Sequence, residues 1–142
     1  MNLGQNNREA ADIAVFIKQH GINPTAQRIE IAKILLSRSQ HLSADQVLNA
    51  VNRKQTIVSK ATVYNTLNLF AEKGLVRQVI VDPNKLFYDS NTAAHFHIYN
   101  EDSGQLIDLD AAKLEISGLP KLPENTVECG VDVIVRVRNR HS

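Results

Sequence analysis

The sequence predicts an α+β protein in two parts: a helix-rich first part closed by a hairpin, then a small strand-rich second part. Three observations carry this. Apolar residues recur at helical spacing through the first 74 positions, a Pro-containing turn separates two strand-like runs just beyond them, and from Asn91 the pattern shifts to alternation in steps of two. With 142 residues and 43% hydrophobic content, the chain can bury one substantial core or two small ones.

Taken in order, Arg8 to His20 places Ile13, Phe16 and Ile17 on one helical stripe, and Gly21 supplies the stop. A turn at Asn23-Pro24 leads to Thr25, an N-cap for a second helix through Leu36 whose core positions are Ile29, Ala32 and Leu36 with Ile31 and Leu35. Arg28 falls in its first turn, where unpaired backbone N–H groups and the helix dipole favour an anion, so it is placed for a phosphate or for pairing with Glu30 or Asp45. Ser43 and Gln46 form a capping box, with Leu42 before them, and open a short third helix through Val51. The polar connector Asn52 to Thr56 then leads into a helix capped by Ser59 and stopped by Gly74.

That fourth helix is the organising element. Val63, Leu67 and Phe70 share its inner stripe, while Lys60, Tyr64 and Asn68 follow each other at four-residue steps outside, with Asn65 alongside. Cation, aromatic ring and two amides stand together. A solvated polar face would read the same way on an isolated helix; here it is the second helix of a helix-turn-helix. Leu75–Val81 and Leu86–Asp89, joined through Asp82-Pro83-Asn84-Lys85, make a hairpin after it. Residues 1–90 therefore read as a winged helix-turn-helix domain. Residues 91–142 read as a small α/β dimerisation domain: strands at His95–Tyr99, Gln105–Leu109 and Val127–Val137, a helical turn from Ala111 to Ile116, and too few residues to cover both faces of a sheet without a partner.

Composition limits the chemistry. The formal net charge is only +1, so binding to nucleic acid has to rest on local cations such as Arg28, Lys33, Arg38, Arg53, Lys54 and Lys60. The single cysteine, Cys129, excludes an intrachain disulfide and any multi-cysteine zinc cage, so a metal site must use histidine and carboxylate. His95 and His97 alternate along one strand, which puts both imidazoles on one face with Tyr99. Asp89 and His41 are the further candidates, if the two domains bring them together at the hinge. No apolar run reaches the ~20 residues of a membrane span, and the expected location is the cytoplasm.

Several motifs in order now carry a resemblance. Pro24-Thr25-Ala26-Gln27-Arg28, His41-Leu42-Ser43-Ala44-Asp45, Ala61-Thr62-Val63-Tyr64-Asn65-Thr66-Leu67 with Gly74-Leu75-Val76, then His95-x-His97 and Gly104, resemble the ferric uptake regulator (Fur) superfamily over nearly the whole chain. Leu119-Pro120, Pro123-Glu124, Val131–Arg136 and Tyr64-Asn65-Thr66 look like its iron response regulator (Irr) branch. The resemblance implies a homodimeric repressor of iron- or haem-responsive genes that binds a palindromic, AT-rich operator on double-stranded DNA and is not an enzyme. It implies Tyr64 as a base contact and Arg28 and Lys60 as phosphate contacts; Thr62 is expected with them on the DNA-binding side, where the amides of Asn65 and Asn68 are expected to bear sequence discrimination together with Tyr64. It further implies His41, Asp89, His95 and His97 as ligands of a divalent metal (Fe, Mn or Zn) at the hinge, and haem at His95 and His97 by analogy with the Irr branch. Asn100 and Ser103 stand where many members carry the Cys-x-x-Cys of a structural zinc site, so no such zinc is expected. A repressor using only a divalent co-repressor, a metal-dependent enzyme and a protein-interaction module are the competing readings.

Overall fold

The computed structural model describes residues 3–141, in two units spanning Met1–Thr92 and Ala93–Ser142. The first unit holds helices α1 (Leu3–Gln19), α2 (Ala26–Leu36), α3 (Ala44–Val51) and α4 (Lys60–Glu72), with strands β1 (His41–Ser43), β2 (Arg77–Asp82) and β3 (Lys85–Asp89). Its sheet is antiparallel in the order β1-β3-β2, which is a winged helix. The second unit holds β4 (His95–Asn100), β5 (Leu106–Asp110), a single 3-10 turn at Ala111–Lys113, and β6 (Ile134–Val137). Its sheet runs β5-β4-β6, with β5 antiparallel and β6 parallel to the central strand.

The caps read from sequence are formed. Thr25 Oγ1 accepts from Arg28 N, and the reciprocal Ser43–Gln46 box opens α3 with bonds of 2.8 and 3.2 Å. Asn52 organises the connector, because its Oδ1 accepts from the backbone N–H of Ile57 and Val58 while its Nδ2 donates to Val58 O. One side chain thereby ties the C-terminal end of α3 to the backbone just before α4. At the far end Gly74 adopts φ +78°, Leu75 N donates to Phe70 O and Gly74 N to Ala71 O, closing the helix with a left-handed residue. The wing turns at Asp82, whose carboxylate accepts from Asn84 N at 2.7 Å. Ile17, Ile31, Leu35, Val47, Val63, Leu67, Phe70 and Tyr88 make the centre of this unit's core.

Four details differ from the sequence reading. Helix α1 begins at Leu3 rather than Arg8, and β1 is a strand where only a helix-capping segment was expected. Three residues are too few to show a period, and β1 exists because β3, more than forty positions away, supplies its partner. The strand expected over Val127–Val137 is confined to Ile134–Val137, since only four positions of β4 pair with it and Val127 lies 90% exposed. The helical turn expected through Ile116 ends at Lys113. Among the described residues, no helix is long and apolar enough to cross a membrane.

Candidate nucleic-acid interface and candidate metal centre

Helix α4 starts at Ser59, whose hydroxyl accepts from Thr62 N at 3.1 Å and donates to Thr62 Oγ1 at 2.9 Å. From that fixed start the 3.6-residue period buries Val63, Thr66, Leu67 and Phe70 and exposes Lys60, Tyr64, Asn65 and Asn68. Lys60 Nζ stands 5.8 Å from the Tyr64 ring centroid and 4.0 Å from Asp45 Oδ1, to which the Tyr64 hydroxyl donates at 3.4 Å. Such exposed contacts are worth little energetically, so Lys60 and Tyr64 can exchange Asp45 for another partner at small cost.

Arg28 pairs with neither carboxylate considered for it. Its Nη1 donates to Asn23 O at 2.9 Å, while Glu30 binds Lys33 at 3.1 Å. The backbone carbonyl orients the guanidinium without neutralising it, which leaves a positive charge beside the start of α2. Arg28 also lines a cleft of about 310 Å³ together with Thr25, Gln27, Thr62, Asn65 and Thr66. The six residues expected on the DNA face thus fall into two adjoining groups, Arg28, Thr62 and Asn65 along the cleft and Lys60, Tyr64 and Asn68 along the outer stripe of α4.

Asn68 is held at the wing side of that stripe. Its Oδ1 accepts from the Tyr88 hydroxyl at 2.7 Å and from Gln78 Nε2 at 3.3 Å. Burial pushes the Tyr88 phenol above its ordinary pKa, the Gln78 amide pulling it partly back and Tyr64 adding a smaller upward effect.

In the second unit, the alternation along β4 has the parity expected but an unusual polarity. His95, His97 and Tyr99 are the buried side, at 7%, 4% and 5% exposure, and Phe96 and Ile98 are the more open one. Pairing with β5 sets His97 opposite Asp108, so the carboxylate projects from the histidine face. Asp108 Oδ1 lies 3.6 Å from His95 Nε2 and 3.5 Å from His97 Nε2, and the two rings meet edge to face at 4.6 Å between centroids. The ligand atoms of the three side chains lie within 4.8 Å of one another. His95 Nδ1 donates to Ala93 O at 2.6 Å, which leaves the neutral ring's lone pair on Nε2, turned toward the carboxylate. Two imidazole nitrogens and a carboxylate oxygen converging in this way suit a borderline divalent cation such as Fe, Mn or Zn.

Asp108 is the residue that the sequence reading missed. Its signal was the strand register, since it sits opposite His97, and register cannot be read from one irregularly alternating strand. The other two ligand candidates belong to the first unit, where His41 and Asp89 are directly paired across β1 and β3. Asp89 is fully buried and accepts from Asn91 N at 2.9 Å; the His41 ring packs edge-on against Phe87.

A family model described as the ferric uptake regulator family matches residues 19–128. The chain belongs to the ferric uptake regulator family. Among individual Fur-family relatives, the peroxide-responsive repressor PerR of Staphylococcus aureus strain Mu50 is 33% identical over 106 residues, covering 75% of this chain and 72% of its own. The ferric uptake regulator from Pseudomonas aeruginosa, solved with manganese, superposes with a TM-score of 0.68 at 24% identity, covering 89% of this chain and 97% of that one. That from Francisella tularensis, solved with iron, gives 0.65 at 19% identity over 82% and 90%. These two show that the Fur fold is shared. The named relatives are repressors and regulators rather than enzymes.

Proposed function

We propose that this Fur-family chain is a homodimeric, sequence-specific DNA-binding repressor of the cytoplasm, controlled by a divalent metal. The observation that carries the DNA-binding reading is the exposed stripe of α4, second helix of a helix-turn-helix, with Arg28 and the polar cleft beside it. In this reading α4 enters the major groove of an AT-rich, palindromic operator. Tyr64 packs against a thymine methyl, Thr62, Asn65 and Asn68 lie on the same face, and Arg28 and Lys60 contact phosphates. The half-open apolar side of the second sheet, with Phe96, Ile98, Ile107 and Val135, supports the dimer, because an exposed apolar sheet face of this kind suits a protein–protein contact.

The proposed effector site uses His95, His97 and Asp108, with His41 and Asp89 as ligands from the winged-helix side. When bound, the cation would supply positive charge to the acceptors that hold it, two imidazole nitrogens and the Asp108 carboxylate. The protein's own part is to hold those acceptors in register and to fix the His95 tautomer through Ala93. Metal occupancy then shifts the dimer between DNA-binding and non-binding arrangements by its differential affinity for the two. The Irr-like motifs at Tyr64-Asn65-Thr66 and Leu119-Pro120 favour a second reading, with haem bound through His95 and His97 as effector.

Selection of bound fragments from random duplex DNA, with apo-protein, with each divalent ion and with haemin, tests all of this. A palindrome enriched only with a divalent ion supports the first reading; one altered by haemin alone supports the second. Tyr64→Ala should retain the dimer and lose discrimination between the selected duplex and random DNA, and undiminished discrimination would remove Tyr64 from the base contacts.

A further inference from the structure

Asn68 lies one helical turn beyond Tyr64 on the outer stripe of α4, but its carbonyl oxygen is turned toward the wing. Tyr88, on β3, and Gln78, on β2, are directly opposite each other in the hairpin, and both donate to that one oxygen. The Tyr88 ring is fully buried in the core below. One side chain of the reading helix therefore binds both strands of the wing, across a chain connection that otherwise passes through Gly74 and Leu75.

We propose that Asn68 is a positioning residue, which locks the wing hairpin to the reading helix, and that it does not read adenine by a two-point amide contact. An asparagine that recognises adenine accepts with Oδ1 from the N6 amine while donating with Nδ2 to N7. A carbonyl oxygen has two lone pairs, and here Tyr88 and Gln78 use both. Presenting that oxygen to the N6 amine of adenine would break at least one of the two bonds that hold the wing. Base discrimination along the stripe then falls to Tyr64 and Asn65, while Asn68 sets the angle at which helix and wing approach the duplex together. The inference rests on the DNA-binding reading above for its consequence, though not for the tether itself.

The test uses the full chain and the duplex that the wild-type protein selects from a random pool. Asn68→Ala and Tyr88→Phe should each weaken binding by roughly five- to tenfold, the size of one or two lost hydrogen bonds. The double variant should bind no worse than the weaker single one, and the base preference at every position should match the wild type's. Melting temperature should follow the same non-additive pattern, and Asn68→Asp, which keeps the acceptor, should melt close to the wild type. Additive losses in binding, or a preference flattened at one base pair by Asn68→Ala but not by Tyr88→Phe, would make Asn68 a base reader and overturn the proposal. If the wild type selects no duplex, the DNA-binding reading fails, and additive losses in melting temperature then overturn the tether independently.

Discussion

The two units bury opposite kinds of surface. In the first, helices and sheet put their apolar faces inward, around Phe70, Leu67 and Tyr88, and leave the polar stripe of α4 outside. In the second, the central strand buries two histidines and leaves Phe96 and Ile98 half open, with Ile107 and Val135 exposed on the neighbouring strands. The first arrangement is what hydrophobic burial produces unaided. The second buries imidazoles and leaves apolar groups toward solvent, and in the proposed function each face is completed by something besides its own chain. The proposed metal and second copy are one such completion for each face.

The largest effect should separate the units directly. Phe70→Ala removes a fully buried ring from the first unit and should cost about 3–5 kcal/mol in denaturant unfolding. By contrast Ile98→Asp, on the open face of the second sheet, should convert dimer to monomer in sedimentation while the helical signal of the first unit persists. A monodisperse dimer for the Ile98 variant would mean that this sheet face is not the one covered.

Metal comes next. At about a hundredfold excess over its dissociation constant, a divalent ion should stabilise the protein by about 2.7 kcal/mol, an effect reversed by chelator. His97→Ala or Asp108→Ala should abolish the shift in melting temperature, whereas Phe70→Ala should leave the shift in place on a less stable protein. The same thermal gain in the His97 variant would place the ion elsewhere.

A smaller effect belongs to the polar stripe. Arg28→Ala and Lys60→Ala should each reduce the salt slope of DNA binding by about 1, leaving base preference intact. An unchanged slope removes that residue from the phosphate contacts.

The smallest effect expected is one of pH. Burial raises the folded-state pKa of Tyr88 above its ordinary value of 10.0, so the unfolded chain releases this proton first. The stability contributed by the buried neutral phenol is complete below pH 10.0 and is lost as pH climbs from there through the folded-state value. Denaturation at a series of alkaline pH values should show this decline for the wild type and a shallower one for Tyr88→Phe. Identical declines would assign the loss to other groups.

The same contrast explains what could be read in advance. The first unit was legible because its signals are local: Thr25, Ser43 and Ser59 cap helices a few residues away, Gly74 stops one, and Val63, Leu67 and Phe70 mark a face by spacing alone. In the second unit the parity of His95, His97 and Tyr99 was legible for the same reason. The extent of β6 was not, because four residues of hydrogen-bonding partner on β4 decide it rather than the run of valines.

By itself the sequence determined the winged helix, the outward stripe of Lys60, Tyr64, Asn65 and Asn68, and the shared face of the two histidines. Only the tertiary structure decided that Asp108 joins those histidines, that His41 pairs with Asp89, and that the oxygen of Asn68 belongs to the wing. Helical and strand periods are properties of neighbouring residues and survive in the linear chain. Cross-strand register and a hydrogen bond spanning twenty positions exist only once distant segments have packed, so no local spacing encodes them.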